Sequence, residues 1–456
     1  MPAPPTFRLL TGGTAPDDVA ALRTALAERL VQRGLLVARG DPPASSAMAG
    51  AGAENAVKPL PLLVPIGPGE DEGRVRADLA RRITRVPPRT DLVLRTSGST
   101  TGTGRLIAMS TAALAASARA THERLGGPGT WLLPLPAHHV AGLQILVRSL
   151  LSGTAPVVVD ASTGFSPTAL AEALRSVRAP TDPLVGSDAP RLYTSLVPTQ
   201  LVRVLRDPAA SRALAEADAV LLGGAAADPA LLARARRAGI TVVTSYGMSE
   251  TGGGCVYDGR PLGGVELAIQ DPDADGAGRI LISGPVLAEG YLYPADRMPG
   301  AAEDFRESAG RRLLATSDRG RLRPDGRLEV LGRLDDVIIT GGVKVEPRRV
   351  EEALTSIDAV AEACVVGLPD EQWGSVVAAA VVLEPGGQRG GSNRWDSAAL
   401  RTTARGRLDG AHTPKRVVAL EALPLRPSGK VDRRAVARLI AAAAADGAAE
   451  PSTPGP

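Results

Sequence analysis

Lysine is nearly absent from this chain of 456 residues: four of its 52 basic residues are lysine, at positions 58, 344, 415 and 430. Aromatic residues are also scarce, at 2 %. That excludes the interleaved basic and aromatic surface on which single-stranded nucleic acid stacks, and leaves Ala, Val and Leu to fill the core. A net charge of +3, with both signs interleaved, gives no basic footprint for nucleic acid. The run from Arg81 to Arg89 reads as a solvated face. Cys255 and Cys364 are too few for a disulfide framework and have no CxxC spacing. No apolar run approaches the roughly 18 residues needed to span a bilayer, and Met1–Pro5 lacks the charged and apolar regions of a leader peptide. These absences set the expectation of a soluble chain in the reducing cytoplasm, without membrane insertion.

What is present is alternation. The length implies two or more domains. Strand patterns at Leu92–Leu94, Thr130–Leu133, Pro156–Val159, Ala219–Leu222 and Thr241–Thr244 alternate with helical patterns at Thr111–Leu125, Gly142–Leu151, Pro167–Val177 and Pro229–Ala238. Such alternation argues for parallel α/β sheets, and open sheets of that kind bind ligands at their strand ends. After about residue 255 the pattern changes. Gly263–Gln270, Gly278–Ser283 and Arg327–Leu331 alternate apolar and polar residues, as a small antiparallel β-subdomain does. From Asp335 a compact α+β domain is expected, with a strand at Val337–Thr340, a helix opened by Pro347, strands at Glu362–Val366 and Val376–Leu383, a helix at Ser397–Leu408 and a strand at Arg416–Ala419. The fold class is therefore α/β: a large N-terminal domain over 1–334 with a β-subdomain, then a small α+β C-terminal domain over 335–440. Pro42–Lys58, Pro385–Asn393 and the tail 441–456 read as loose, from their Ala, Gly, Ser and Pro content.

Six segments carry candidate chemistry. Thr96-Ser97-Gly98-Ser99-Thr100-Thr101-Gly102-Thr103-Gly104-Arg105 follows a strand. Its glycines allow backbone N–H groups to approach phosphate oxygens, although it lacks the Walker A spacing and an ordinary Ser/Thr/Gly turn accounts for it equally well. Ser245-Tyr246-Gly247-Met248-Ser249-Glu250-Thr251 also follows a strand. It offers a ring for a base and a carboxylate for a hard cation, or else a solvated loop. In Thr316-Ser317-Asp318-Arg319-Gly320 a carboxylate could accept from two ribose hydroxyls, or form an Asx-turn. Gly332-Arg333-Leu334-Asp335-Asp336, with Gly341-Gly342 beyond, could join a nucleotide contact to a hinge, or be an exposed linker before a Pro-started helix. Leu135-Pro136-Ala137-His138-His139 places two histidines ahead of a helix, as pocket walls or surface imidazoles. Finally, Lys430 stands on a Pro-Ser-Gly turn. An ammonium is a compact point charge that can follow an oxyanion where a guanidinium is a planar fork; the alternative is a solvated surface lysine.

In chain order and rough spacing the hydroxyl–glycine loop, the Tyr-Gly-Met-Ser-Glu-Thr segment, the Ser-Asp-Arg-Gly turn, the Gly-Arg-Leu-Asp-Asp segment and the Pro-Ser-Gly-Lys turn resemble the adenylate-forming superfamily of acyl-CoA synthetases, adenylation domains and luciferases, from about Leu92 to Val431. The resemblance implies ATP, Mg²⁺ and coenzyme A as ligands, and roles for individual residues. Thr96, Ser97, Gly98, Ser99, Thr100, Thr101, Gly102 and Arg105 would embrace the ATP phosphates. Ser245, Tyr246 and Gly247 would form the adenine site with Tyr246 stacking, Glu250 would hold Mg²⁺, and Thr251 would lie near the adenylate phosphate. Asp318 and Arg333 would bind ribose, Asp335 would be the pivot, and Gly341 and Gly342 would border the pantetheine tunnel. Lys430 would bridge carboxylate and α-phosphate. One departure stands out: the family's loop has a proline and a lysine where this chain has Gly104 and Arg105, and the loop here carries an extra hydroxyl residue.

Within the superfamily, Pro134–Gln144, Ser195–Leu201 and Leu221–Ala226 resemble the o-succinylbenzoate–CoA ligases of menaquinone biosynthesis. That implies an acyl pocket walled by His139 and Gly224. The alternatives are another aryl- or acyl-CoA ligase on the same scaffold, a stand-alone adenylation module loading a carrier protein, and a nucleotide-binding regulator with a damaged site. Small-molecule acid, ATP and CoA are the expected partners. A homo-oligomer is compatible with the sequence, which leaves the oligomeric state open.

Overall fold

A computed structural model describes residues 5–37, 60–96, 104–178, 190–293, 304–308, 310–384, 397–426 and 429–447. The chain divides into two compact units. The first comprises residues 1–224, 235–267 and 282–315; the second comprises 225–234, 268–281 and 316–456.

The first unit holds two sheets. β1 (Phe7–Thr11), β2 (Leu62–Ile66) and β3 (Leu92–Arg95) run parallel. β4 (Leu106–Met109) pairs antiparallel with β3, and the strand Gly290–Leu292 pairs antiparallel with β4, closing a five-stranded sheet. The second sheet is built from β5 (Thr130–Leu133), β6 (Val157–Val158), β7 (Leu192–Leu196), β8 (Ala219–Leu222), β9 (Val242–Met248), β10 (Gly253–Tyr257) and β11 (Arg260–Pro261). Its order is β11-β10-β9-β8-β7-β5-β6, parallel from β6 to β9 and antiparallel beyond. β2, β7 and β8 are buried along their whole length, as strands covered on both faces must be. This explains the unbroken apolar runs of β2 and β8, while β7 buries Thr194 and Ser195 among its apolar residues.

Among the helices that pack on these sheets are α1 (Pro16–Gln32), α2 (Glu72–Arg82), α3 (Thr111–Leu125) and α4 (Val140–Leu151). α1 touches both β1 and α4, and α4 touches α3. α3 starts where the Ser110 hydroxyl accepts from Ala113 N–H, and stops at Gly126, whose φ of 89° suits the left-handed C-terminal cap. Five of the buried residues of α3 are Ala or Leu (Ala113, Leu114, Ala115, Ala118, Ala120), so helices approach closely where aromatics are scarce. The few aromatics present are concentrated: Trp131, Tyr193 and Tyr257 are the largest fully buried side chains, with the first two 4.9 Å apart between ring centroids. Arg148 lies 4.8 Å over the Trp131 ring.

Asp91, just ahead of β3, binds three elements together. Its carboxylate accepts from Thr111 N at 2.9 Å and Thr111 Oγ1 at 2.7 Å, and pairs with Arg29 at 3.2 Å and Arg33 at 2.7 Å. Burial opposes its ionisation, but the bonds from Thr111 and Arg33 prevail and its pKa is lowered.

In the second unit the chain from Thr316 forms an antiparallel pair with Leu328–Arg333, in which Asp318 faces Arg333. A hairpin of Ile338–Thr340 and Val343–Val345 follows, then the helix Pro347–Thr355. Val360–Asp370 pairs antiparallel with Gly374–Leu383, which pairs parallel with Arg416–Leu420. One face of this sheet packs on Val350, Leu354, Leu400 and Ala404, the other on Val436 and Ile440. The helix Arg433–Gly447 corrects the reading of the tail, since residues 441–447 are helical. Their alanines favour helix more than any other residue does. Pro42–Lys58, Pro385–Asn393 and residues 448–456 lie outside the described residues.

Replacing Asp91 by alanine leaves Arg29 buried without its counter-charge. Stability should fall by about 3–5 kcal/mol, read as a lower midpoint in urea unfolding.

Candidate active site

In the first unit the candidate residues collect at strand ends. β3 ends at Arg95, and the hydroxyl–glycine loop begins at Thr96. The two ends of that loop are joined: Thr96 N donates to Arg105 O at 3.0 Å, and Arg105 N donates to Thr96 Oγ1 at 2.8 Å. Ser97, Gly98, Ser99, Thr100, Thr101 and Gly102 lie outside the described residues. Ahead of the loop, Arg95 pairs with Glu70.

β9 extends further than the expected Thr241–Thr244, reaching Met248, so Ser245, Tyr246 and Gly247 stand on the strand itself. The strand continues because β10 pairs back on it, Gly254 opposite Gly247 and Gly253 opposite Met248. A Cβ on Gly247 would lie 2.1 Å from Gly253 O, and one on Gly254 would lie 2.1 Å from Ser245 Oγ. Backbone contact therefore requires glycine at 247, while a side chain at 254 would displace the Ser245 hydroxyl. Ser249–Thr251 makes one short turn, closed by Thr251. Its hydroxyl accepts from Met248 N at 2.9 Å and lies 2.6 Å from Gly253 O. Thr251 is fully buried, and its hydroxyl holds the turn. From α4, the buried Gln144 Nε2 donates to Gly252 O at 2.5 Å.

Glu250, on this turn, is half-buried. Tyr291 of the strand Gly290–Leu292 donates its hydroxyl to Glu250 Oε1 at 2.8 Å. Burial lifts the Glu250 pKa above the usual carboxylate range, against the opposing bond from Tyr291. The same phenol oxygen accepts from Arg105 Nη1 at 3.0 Å, and Arg105 also pairs with Asp304. The loop's last residue and the candidate metal carboxylate are thus joined through one tyrosine.

Nothing in the local sequence singles out Tyr291 or Asp304. They lie 186 and 199 positions from Arg105, and only the antiparallel pairing of Gly290–Leu292 with β4 brings Tyr291 to the loop. Glu250 suits Mg²⁺, which takes one or two protein carboxylates and completes its shell with phosphate and water oxygens. Among the described residues no group of three or more His, Cys, Asp and Glu side chains could hold a metal by itself.

The two histidines follow β5. Their ring centroids are 4.2 Å apart. His139 caps α4, accepting from Leu143 N at 2.9 Å through its carbonyl. Gly142 permits this start, since a Cβ there would lie 2.4 Å from Pro136 O. Burial lowers the His138 pKa, Arg95 adds to that effect and Glu70 opposes it. Gly224 lies exposed beyond β8 with a φ of 80°. Gln200 is engaged at the start of the helix Pro198–Arg206, accepting from Val197 N at 3.0 Å.

In the second unit Asp318 and Arg333 are cross-strand partners. Arg333 also binds Asp335 through two bonds, at 2.7 and 2.6 Å. The bond to Asp335 raises the Arg333 pKa, against burial, with Asp318 and Asp336 adding to the rise. Gly341 and Gly342, at φ of 54° and 82°, turn the hairpin, and a Cβ on Gly341 would lie 2.6 Å from the Trp373 ring. Lys430 is exposed on a turn closed by the Leu425–Val431 bridge and by Arg426 N donating to Lys430 O at 2.8 Å. The structure thus groups Thr96, Arg105, Glu250 and Thr251 in one unit, and Asp318, Arg333 and Asp335 in the other.

Strand-end glycines, a hydroxyl-rich segment and the half-buried carboxylate of Glu250 are the parts a nucleotide-dependent enzyme needs around phosphates and their cation. The chain belongs to the AMP-binding enzyme family: that family's model matches residues 11–292, and the model of the AMP-binding enzyme C-terminal domain matches 349–430. It is 44 % identical over 350 residues, 77 % of this chain and 84 % of the relative, to a probable 2-succinylbenzoate–CoA ligase of Mycobacterium tuberculosis. A medium/long-chain-fatty-acid–CoA ligase of the same organism is 32 % identical, over 77 % of this chain and 62 % of the relative. The o-succinylbenzoate CoA synthetase of Bacillus subtilis, solved with its acyl-adenylate intermediate, shares the fold. Its TM-score is 0.66 at 23 % identity, covering 95 % of this chain and 88 % of that one. Among the described residues no helix is long and apolar enough to cross a membrane.

Gly247→Ala forces a Cβ into the Gly253 carbonyl. ATP affinity should drop at least tenfold in calorimetry, with the overall fold retained by circular dichroism.

Proposed function

We propose that this chain ligates o-succinylbenzoate to coenzyme A through an acyl-adenylate, releasing pyrophosphate and then AMP. The observation that carries this reading is the joining of the phosphate loop's end, Arg105, through Tyr291 to the carboxylate of Glu250, in a chain 44 % identical to a probable 2-succinylbenzoate–CoA ligase. The site of action in this reading is the cytoplasm, where the two buried, unbridged cysteines would stay reduced.

The first half-reaction sets an anionic carboxylate against the α-phosphorus of a polyanion, so charge repulsion dominates its barrier. Cations placed in advance lower it. In this reading Thr96, the loop Ser97–Gly102 and Arg105 hold phosphate oxygens, and Glu250 holds Mg²⁺, which supplies further positive charge at the phosphates. Tyr246 stacks on adenine, with Ser245 and Gly247 allowing its close approach. Asp318 and Arg333 bind the ribose hydroxyls, an assignment supported by their cross-strand pairing. Thr251 acts by keeping Glu250 on its turn. His139 and Gly224 wall the acyl pocket.

Lys430 neutralises the carboxylate and α-phosphate as they meet. In the second half-reaction the CoA thiol attacks the acyl-adenylate along the approach Lys430 occupied, past Gly341 and Gly342. One arrangement cannot serve both steps, so the domain from 335 onward rotates about Asp335. The exchange of Asp335 with ribose for the Arg333 guanidinium would couple nucleotide contact to that pivot.

Lys430→Ala should cut adenylation about 10²–10³-fold, read as pyrophosphate release, while thioester formation from supplied acyl-adenylate persists. Equal loss in both steps would remove Lys430 from this role. Asp335→Pro restricts the pivot's φ and should slow thioester formation while sparing adenylation. A panel of o-succinylbenzoate, benzoate and medium-chain acids, followed by mass detection of acyl-adenylate and thioester, tests the substrate. Turnover of the fatty acids above o-succinylbenzoate would favour the alternative suggested by the 32 % identical fatty-acid ligase.

A further inference from the structure

Arg105 closes the phosphate loop, yet its guanidinium is already engaged by a carboxylate. Nη1 donates to Asp304 and, at 3.0 Å, to the Tyr291 hydroxyl, while Cζ lies 4.8 Å from the Tyr291 ring centroid. Asp304 lies in none of the motifs that mark the family in this sequence. Its side chain is 23 % exposed and that of Arg105 is 56 % exposed, so the carboxylate approaches from the protein side and leaves the guanidinium's outer edge towards solvent.

A carboxylate and a phosphate are alternative partners for one guanidinium, since both offer paired anionic oxygens to its planar fork. An ion pair at such exposure is weak enough to exchange its partner. Tyr291 meanwhile has its own attachment, donating to Glu250 at 2.8 Å, which does not depend on the partner Arg105 takes.

We propose that Asp304 is a built-in competitor for nucleotide phosphate: its carboxylate occupies Arg105 in the nucleotide-free chain and is displaced when ATP binds, while Tyr291 is the positioning residue that keeps Glu250 in place during the exchange. The inference rests on the adenylation reading and adds a regulatory element to it. Arg105 neutralised by Asp304 offers less positive charge to an incoming polyanion, so ATP affinity is set below what the loop could reach. That would favour release of AMP and pyrophosphate, because Asp304 recaptures the guanidinium as phosphate departs.

The test is ATP binding by calorimetry on the full chain, which requires no turnover. Asp304→Asn removes the competing charge at nearly constant shape and should tighten ATP binding about 3–10-fold. Asp304→Ser should do the same, and Asp304→Glu should stay at the unsubstituted level. In an Arg105→Ala background, Asp304→Asn should have no effect, because nothing remains to compete for. Unchanged or weaker ATP binding by both Asp304→Asn and Asp304→Ser, with normal binding by the unsubstituted chain, would overturn the inference alone. Absence of ATP binding by the unsubstituted chain would overturn it together with the adenylation reading.

Discussion

Parallel strand pairing is the constraint on which the candidate site depends. β5, β7, β8 and β9 point the same way, so the segments that leave their ends emerge on one edge of the sheet. His138 and His139 follow β5, Gly223 and Gly224 follow β8, and Ser245–Glu250 complete β9 and its turn. β1, β2 and β3 do the same in the other sheet of the unit, delivering Gly12, Gly67 and Arg95. The close approach of backbone to backbone at these ends excludes side chains at several positions. A Cβ on Gly12 would lie 2.6 Å from His138 N, and one on Gly223 would lie 3.0 Å from Ser245 O. Polar chemistry can then be attached at the edge without disturbing the apolar interior.

The electrostatic design follows from that geometry. Asp91 lies at the opposite end of β3, just ahead of Leu92, with enough donors to stay charged while buried, and it ties α1 and α3 to β3. Glu250 lies at the edge itself, its Oε1 accepting from Tyr291, and burial raises its pKa. The difference is one of satisfaction: Asp91 has its bonds supplied within the protein, whereas Glu250 keeps capacity for a cation. The same logic separates Arg29, held in a buried pair, from Arg105, whose pair with Asp304 is open to solvent on one side.

Much of the scaffold was legible before the structure. Thr111–Leu125, Thr130–Leu133 and Ala219–Leu222 were marked with their observed bounds, because cap residues and apolar periodicity are local signals. The first two strands and α1 were not marked. Leu62–Ile66 contains Pro65, which argues against a central strand, and α1 begins without a side-chain cap. The reach of β9 to Met248 was also missed, since Ser-Tyr-Gly-Met reads as a turn until β10 pairs against it. The helical tail over 441–447 was read from composition as loose, where alanine propensity prevailed.

Sequence alone determined the family and the residue types of the site, because hydroxyl-glycine loops, a lone Glu after Tyr-Gly-Met-Ser and a lysine on a Pro-Ser-Gly turn are contiguous patterns that chemistry requires close together. Tertiary structure decided which charges meet. Tyr291 and Asp304 reach Arg105 across nearly two hundred residues, and Gln144 reaches Gly252 across 108. Such pairings leave no trace in composition or periodicity, since a hydrogen bond depends on distance and angle in space, and sheet register alone sets those for residues far apart in the chain.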